Sequence, residues 1–113
     1  MDGMKQMKAG KVEGVANMGG LVEYQKGAIV SRTLIDEDVG TITLFAFDEG
    51  QKLSEHTAPF DAMVYIIDGE AEISIEKKPS RLKAGDMIIM PANKPHVLRA
   101  IKMYKMLLIM IRE

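Results

Sequence analysis

The sequence predicts a small all-β domain, built as a barrel or a sandwich. Three observations carry that prediction. Glycine, proline, asparagine and aspartate recur at short intervals and divide the chain into brief apolar segments. "TITLFAF" and "EAEISIE" alternate residue types with period two, as strands with unlike faces do. No helical stripe runs longer than about two turns. Many short strands at near-regular spacing are the pattern of a sandwich or barrel.

The strands follow in order. Lys11–Val15 and Leu21–Gln25 are parted by "NMGG". Ala28–Leu34 runs into "DEDVG", and Thr41–Phe47 into "DEGQ". Ala62–Ile67 and Ala71–Glu76 are parted by "IDGE", where Gly69 is expected to take positive φ in an Asp-Gly hairpin turn. "KKPS" and "KAGD" precede Met87–Met90, and "PANKP" separates that strand from His96–Ala100 and Met103–Ile111. The whole chain, residues 1–113, reads as one domain with its core over about residues 20–112. Residues 1–10 are expected to be a loose end or a strand that crosses to a partner.

Three segments do not alternate: "MVYIID" from Met63, "MIIM" from Met87 and "MLLIMI" from Met106. Strands buried on both sides read this way. One face fills the interior, and a chain of 113 residues has little left to cover the other. A subunit interface is the economical cover, so a homodimer is expected. The ten methionines fall largely in or beside these strands, as flexible core filler or as the lining of a pocket for an apolar or aromatic ligand.

Composition excludes several functions. The net charge of −1, from 15 basic and 16 acidic residues, gives no electrostatic reason to expect nucleic acid or an anionic membrane as partner. No cysteine is present, which removes disulfides, thiolate catalysis and zinc-thiolate sites. No apolar run approaches the ~20 residues of a membrane helix. "MDGMKQMKAGK" lacks the apolar core of a signal peptide, so the expected location is cytoplasmic.

The chemistry-bearing candidates are the two histidines. His56 lies just before an expected strand and His96 begins one. A lone histidine is more often a hydrogen-bonded structural residue than a ligand, and spacing alone does not bring these two together.

Read together, the two stretches resemble the cupins. The family's first motif is a glycine, five residues, His-x-His, three or four residues, Glu, six residues and a glycine. Here Gly50 is followed at that spacing by His56, with Ala58 at the second histidine position, Ala62 at the glutamate position and Gly69 at the end. The second motif is a glycine, five residues, Pro-x-Gly, two residues, His, three residues and Asn. Gly85, Pro91 and His96 keep that spacing, with Asn93 at the second glycine and Ala100 at the asparagine. The resemblance covers about residues 40–112. It implies a small antiparallel β-barrel of jelly-roll type, frequently dimeric.

The family's metal-binding members hold iron, manganese, nickel, zinc or copper with three histidines and a glutamate. This chain keeps only His56 and His96, so the resemblance implies at most a weak divalent site at those two residues. Asp61 and Glu55 are neighbours that regular strand parity would point the other way. The expected ligand cavity is lined by His56, His96, Ala58, Ala62, Tyr65 and Met90. Three functions remain in view. The first is binding of a small organic molecule. The second is metal-free acid–base catalysis of the isomerase or epimerase kind, with Tyr65 or Tyr104 as the partner acid. The third is an oxygenase-like enzyme whose reduced metal sphere is completed by Asp61 or by substrate.

Overall fold

Two long strands organise the computed structural model, which describes residues 4–6 and 12–112. The strands are β1 (Met4–Gln6), β2 (Ile29–Glu37), β3 (Gly40–Phe47), β4 (Lys52–His56), β5 (Asp61–Ile75), β6 (Lys78–Lys83), β7 (Met87–Met90) and β8 (His96–Ile111). A single 3-10 turn, Met18–Gly20, is the one helical element among the described residues. None of their helices is long and apolar enough to cross a membrane. All pairings are antiparallel except β1 beside β2.

β5 and β8 pair along nearly their whole length, from Asp61↔Ile111 to Ile75↔His96. Each bends midway and serves two sheets. The C-terminal half of β8 lies between β3 and the first half of β5, and β7 and β2 extend that sheet. The N-terminal half of β8 lies between β4 and the second half of β5, and β6 completes the smaller sheet. The inner faces enclose one core, with Phe47, Val64, Ile66, Ile73, Leu98, Tyr104 and Met106 fully or almost fully buried. Tyr104 stacks on Phe47 at a ring separation of 4.5 Å.

The bends are made by register shifts between Ile66 and Asp68 and between Gly69 and Ala71. Extra residues at these points raise the local twist and turn the strands from one sheet to the other. Gly69 therefore lies inside β5, not in a hairpin turn as its Asp-Gly sequence suggested. It does take positive φ, at 79°. It is also pressed against β8: a Cβ here would overlap the Met103 carbonyl oxygen and lie 2.7 Å from Tyr104 Cα. The hairpin in this region is β5–β6 instead, closed by Glu76 and Lys77 with φ of 50° and 66°.

Three further expectations need correction. Val12–Val15 is not a strand, and Lys11 lies outside the described residues. Leu21–Gln25 is not a strand either. It follows the glycine-rich 3-10 turn and folds as a strap over the outer face of the larger sheet. Val22 is buried there with Ala28, Val30, Leu44 and Ala46, and Leu21, Tyr24, Ile67 and Leu107 pack around them. Polar ties fix the strap. Arg32 Nη1 donates to the Leu21 carbonyl at 3.1 Å, Lys105 Nζ to the Gly19 carbonyl at 2.6 Å, and the Tyr24 hydroxyl to Asp68 at 2.6 Å. The carboxylate beside it and partial burial push the Tyr24 pKa up, with burial the larger cause. So part of the second apolar face is covered by the chain itself. Of the first ten residues, Met4–Gln6 lie along β2 of the same chain; residues 1–3 and 7–10 lie outside the described residues.

The Gly69 geometry gives a direct expectation. Gly69→Val lowers stability by roughly 1–3 kcal/mol from its backbone conformation alone, and the collision with β8 adds to that. Thermal or urea melting reads the loss, and an unchanged midpoint contradicts the bulge.

Candidate functional site

His56 reaches the barrel interior because of an irregularity in β4. Leu53 pairs with Leu98 and His56 pairs with His96, so two residues, Ser54 and Glu55, oppose the single residue Val97. This bulge reverses the parity of the strand. Leu53 and His56, three apart, then face the same interior. The bulge also presents the Ser54 carbonyl to the ring, and His56 Nδ1 lies 2.7 Å from it.

His96 opens β8 after the β7–β8 loop. Its Nδ1 is 3.2 Å from the Lys94 carbonyl. In that loop Asn93 has φ 66°, a left-handed conformation that asparagine tolerates better than most side chains. The Asn93 N–H donates to the Ala58 carbonyl at 2.7 Å, tying this loop to the stretch after β4. The two imidazoles meet edge to face, with Nε2 atoms 2.9 Å apart and ring centres 4.2 Å apart. His96 is buried, while His56 is exposed at the mouth.

Both rings border a cavity of about 120 Å³. Ala58, Ala62 and Met90 line it beside them, and the rest of the wall is apolar: Phe45, Leu53, Phe60, Leu98, Met106, Leu108 and Met110. Tyr65 is not part of this wall. It stands three residues from Ala62 on a regular stretch of β5, so it faces outward, where it is 37% exposed. Tyr104 is buried, but in the core beyond the cavity, and its hydroxyl has no hydrogen-bond partner among the described residues. Burial pushes its pKa well up. Neither phenol stands beside the histidines as a partner acid. Sequence reasoning missed Phe45, Leu53, Phe60, Leu98, Met106, Leu108 and Met110 as cavity residues. The alternate positions of "MLLIMI" were the available signal for the last of these.

The hydrogen bonds set the chemistry of the pair. A carbonyl oxygen only accepts, so the hydrogen is assigned to each Nδ1, and in the neutral pair each ring presents a bare Nε2 lone pair. Two lone pairs 2.9 Å apart call for an electrophile between or beside them: a proton, a hydrogen-bond donor or a metal ion. Burial first, and the positive charge His56 can carry second, hold the His96 pKa below the usual histidine value, against a smaller opposing effect of the Lys94 carbonyl.

The family resemblance implies a metal, so the donor set must be tested. Two imidazole nitrogens at right angles on one ion, each about 2.0–2.1 Å away, would lie about 2.9 Å apart, so the spacing suits a shared cation. The number of donors does not. No group of three or more His, Cys, Asp or Glu side chains that could hold a metal occurs among the described residues. Asp61 is engaged elsewhere: its Oδ1 accepts from the Ala92 N–H at 2.8 Å, capping the β7–β8 turn. Two imidazoles fall short of the three protein ligands usual for a catalytic metal.

Comparison with known proteins agrees with this architecture. A family model described as "Cupin domain" matches residues 43–111. Among solved structures, a conserved protein of unknown function from Streptococcus pyogenes is 34% identical, with a TM-score of 0.87 over 99% of this chain and 98% of that one. A cupin 2 conserved barrel domain protein from Leptotrichia buccalis is 38% identical with a TM-score of 0.83, covering 86% of this chain and 47% of that one. A cupin superfamily protein from Desulfitobacterium hafniense is 28% identical with a TM-score of 0.85, over 90% and 94% of the two chains. No curated protein matches the chain.

Proposed function

The chain belongs to the cupin domain family, and we propose that it is a binding protein whose barrel cavity holds a small organic ligand. One observation carries this reading. The cavity wall is apolar except for two imidazoles whose free nitrogens converge at one end. A mostly apolar concavity with a few convergent polar groups is the usual form of a small-molecule site. Catalysis by histidine acid–base chemistry has less support, because no partner acid among the described residues lines the cavity.

The methionines give the test. Met90, Met106 and Met110 line the cavity wall, whereas Met87 and Met103 are exposed elsewhere. Small aromatic fragments added to methyl-labelled protein should move the first three NMR signals and leave the other two in place. Shifts at Met87 and Met103 alone contradict the reading.

Metal binding belongs to this proposal as a minor property. His56 and His96 give zinc, nickel, iron or manganese two protein ligands, so affinity is weak. Ala58 and Ala62 share the cavity wall with both rings. Ala58→His with Ala62→Glu therefore supplies the missing donors, and calorimetry should show divalent affinity rising by orders of magnitude. Equal affinity in both forms means that the two positions cannot reach the ion.

A second copy of the chain is the proposed partner. The outer face of the larger sheet carries a row of cross-strand neighbours: Ile35↔Ile42, Ile42↔Ile109, Ile109↔Met63 and Met63↔Ile89. The row spans five strands, and its ends are open, with Ile35 50% and Ile89 49% exposed. The strap over Leu44 and Leu107 does not reach it. A continuous apolar row of this kind favours association. Light scattering should give about twice the 12.5 kDa chain mass, and Ile89→Lys should return it to the monomer value. A monomeric parent protein contradicts the proposal.

A further inference from the structure

The histidine pair and the cavity wall together narrow the ligand class, on the premise that the cavity is a binding site. Both Nδ1 atoms face the carbonyls of Ser54 and Lys94, which only accept, so in the neutral pair both Nε2 atoms are acceptors, and the 2.9 Å contact between them is relieved only by a donor placed between or beside them. A ligand meeting them must bring hydrogen-bond donors. An acceptor-only head such as a carboxylate would face two lone pairs, and no lysine or arginine among the described residues lines the cavity to neutralise it. An ammonium group would donate well, but no carboxylate among the described residues lines the wall to balance its charge. A pure hydrocarbon would leave both acceptors without a partner.

The remaining wall selects the body of the ligand. Phe45 and Phe60 offer ring faces and edges, and Met90, Met106 and Met110 offer polarizable sulfur, a combination that suits a flat aromatic ring. The cavity, at about 120 Å³, is close to the ~150 Å³ apolar cavity known to take benzene. That limits the ligand to a single ring with small substituents.

We propose that the cavity binds an uncharged hydroxyarene: one aromatic ring with one hydroxyl or two adjacent hydroxyls, donating O–H to the Nε2 atoms of His56 and His96. Two adjacent hydroxyls match the paired acceptors, which stand a hydrogen-bond length apart at 2.9 Å. The ring lies among Phe45, Phe60, Met90 and Met106. His56, at the mouth, is the residue that a ligand passes on entry, and Ala58 and Ala62 leave room beside it.

The test is a matched series on untagged, chelator-treated protein: phenol, catechol, anisole, toluene and benzoate, each titrated while the cavity methionine methyl signals are followed. Phenol and catechol should bind tenfold or more tighter than anisole and toluene, because a site that pairs with a hydroxyl discriminates against analogues lacking it. Benzoate should be weakest. His56→Leu, a change at an exposed position, should remove most of the preference for catechol while toluene binding persists. The proposal is overturned if benzoate equals or exceeds phenol, which would mark an anion site. It is also overturned if anisole and toluene match phenol, which would mark a purely apolar cavity. Silence of all five compounds at the cavity methyls would remove the binding reading itself, and this proposal with it.

Discussion

The pairing of β5 with β8 is the constraint on which the rest of the molecule depends. Each strand is long enough to belong to two sheets, and their shared bends turn one sheet over the other. The bend requires a residue without Cβ where β5 presses on the Met103–Tyr104 backbone, and Gly69 meets that requirement. On β8 the even-numbered residues from His96 to Ala100 and from Tyr104 to Met110 face inward, with exposed Lys102 at the irregularity between them, which places the imidazole at one end of the cavity and Met106, Leu108 and Met110 along its wall. β5 brings Ala62 to the same wall. The cavity is thus a product of two strands and their bulges more than of any loop.

Much of this was legible in the sequence. Turn residues bounded most strands to within a few positions, and the resemblance to the cupins implied one cavity for His56, His96, Ala58 and Ala62. Two of the misreadings share a physical cause. Strand pattern reports faces but not register shifts, and bulges decide both the parity and the continuity of strands. "LSEH" looks like an approach to a strand because its bulge breaks alternation, yet it is the end of β4 paired with β8. "IDGE" looks like a hairpin because Asp-Gly is the usual hairpin signal. Tyr65 was grouped with Ala62 although an odd offset on a regular strand separates their faces. The strap around Val22 could not be distinguished from a strand, since a short apolar stretch beside glycines fits either.

The site itself joins an unusual polar arrangement to an ordinary apolar one. Backbone carbonyls of Ser54 and Lys94 fix the orientation of both rings, so two acceptors converge where a catalytic metal site would need at least one further donor. Asp61, the nearest carboxylate in sequence to the missing glutamate, caps the β7–β8 turn instead. The same donor set that falls short of a catalytic metal site underlies the proposed preference for hydroxyl groups. The low pKa of His96 works in the same direction, because a buried neutral ring keeps its lone pair available.

The central claim is the hydrogen placement on these two rings. Long-range nitrogen–proton NMR of the imidazoles in chelator-treated protein at about pH 8 reads it directly. The account predicts that both histidines carry their hydrogen on Nδ1 and leave Nε2 bare. Hydrogen on Nε2 of both rings would contradict it, because the cavity would then present donors in place of acceptors.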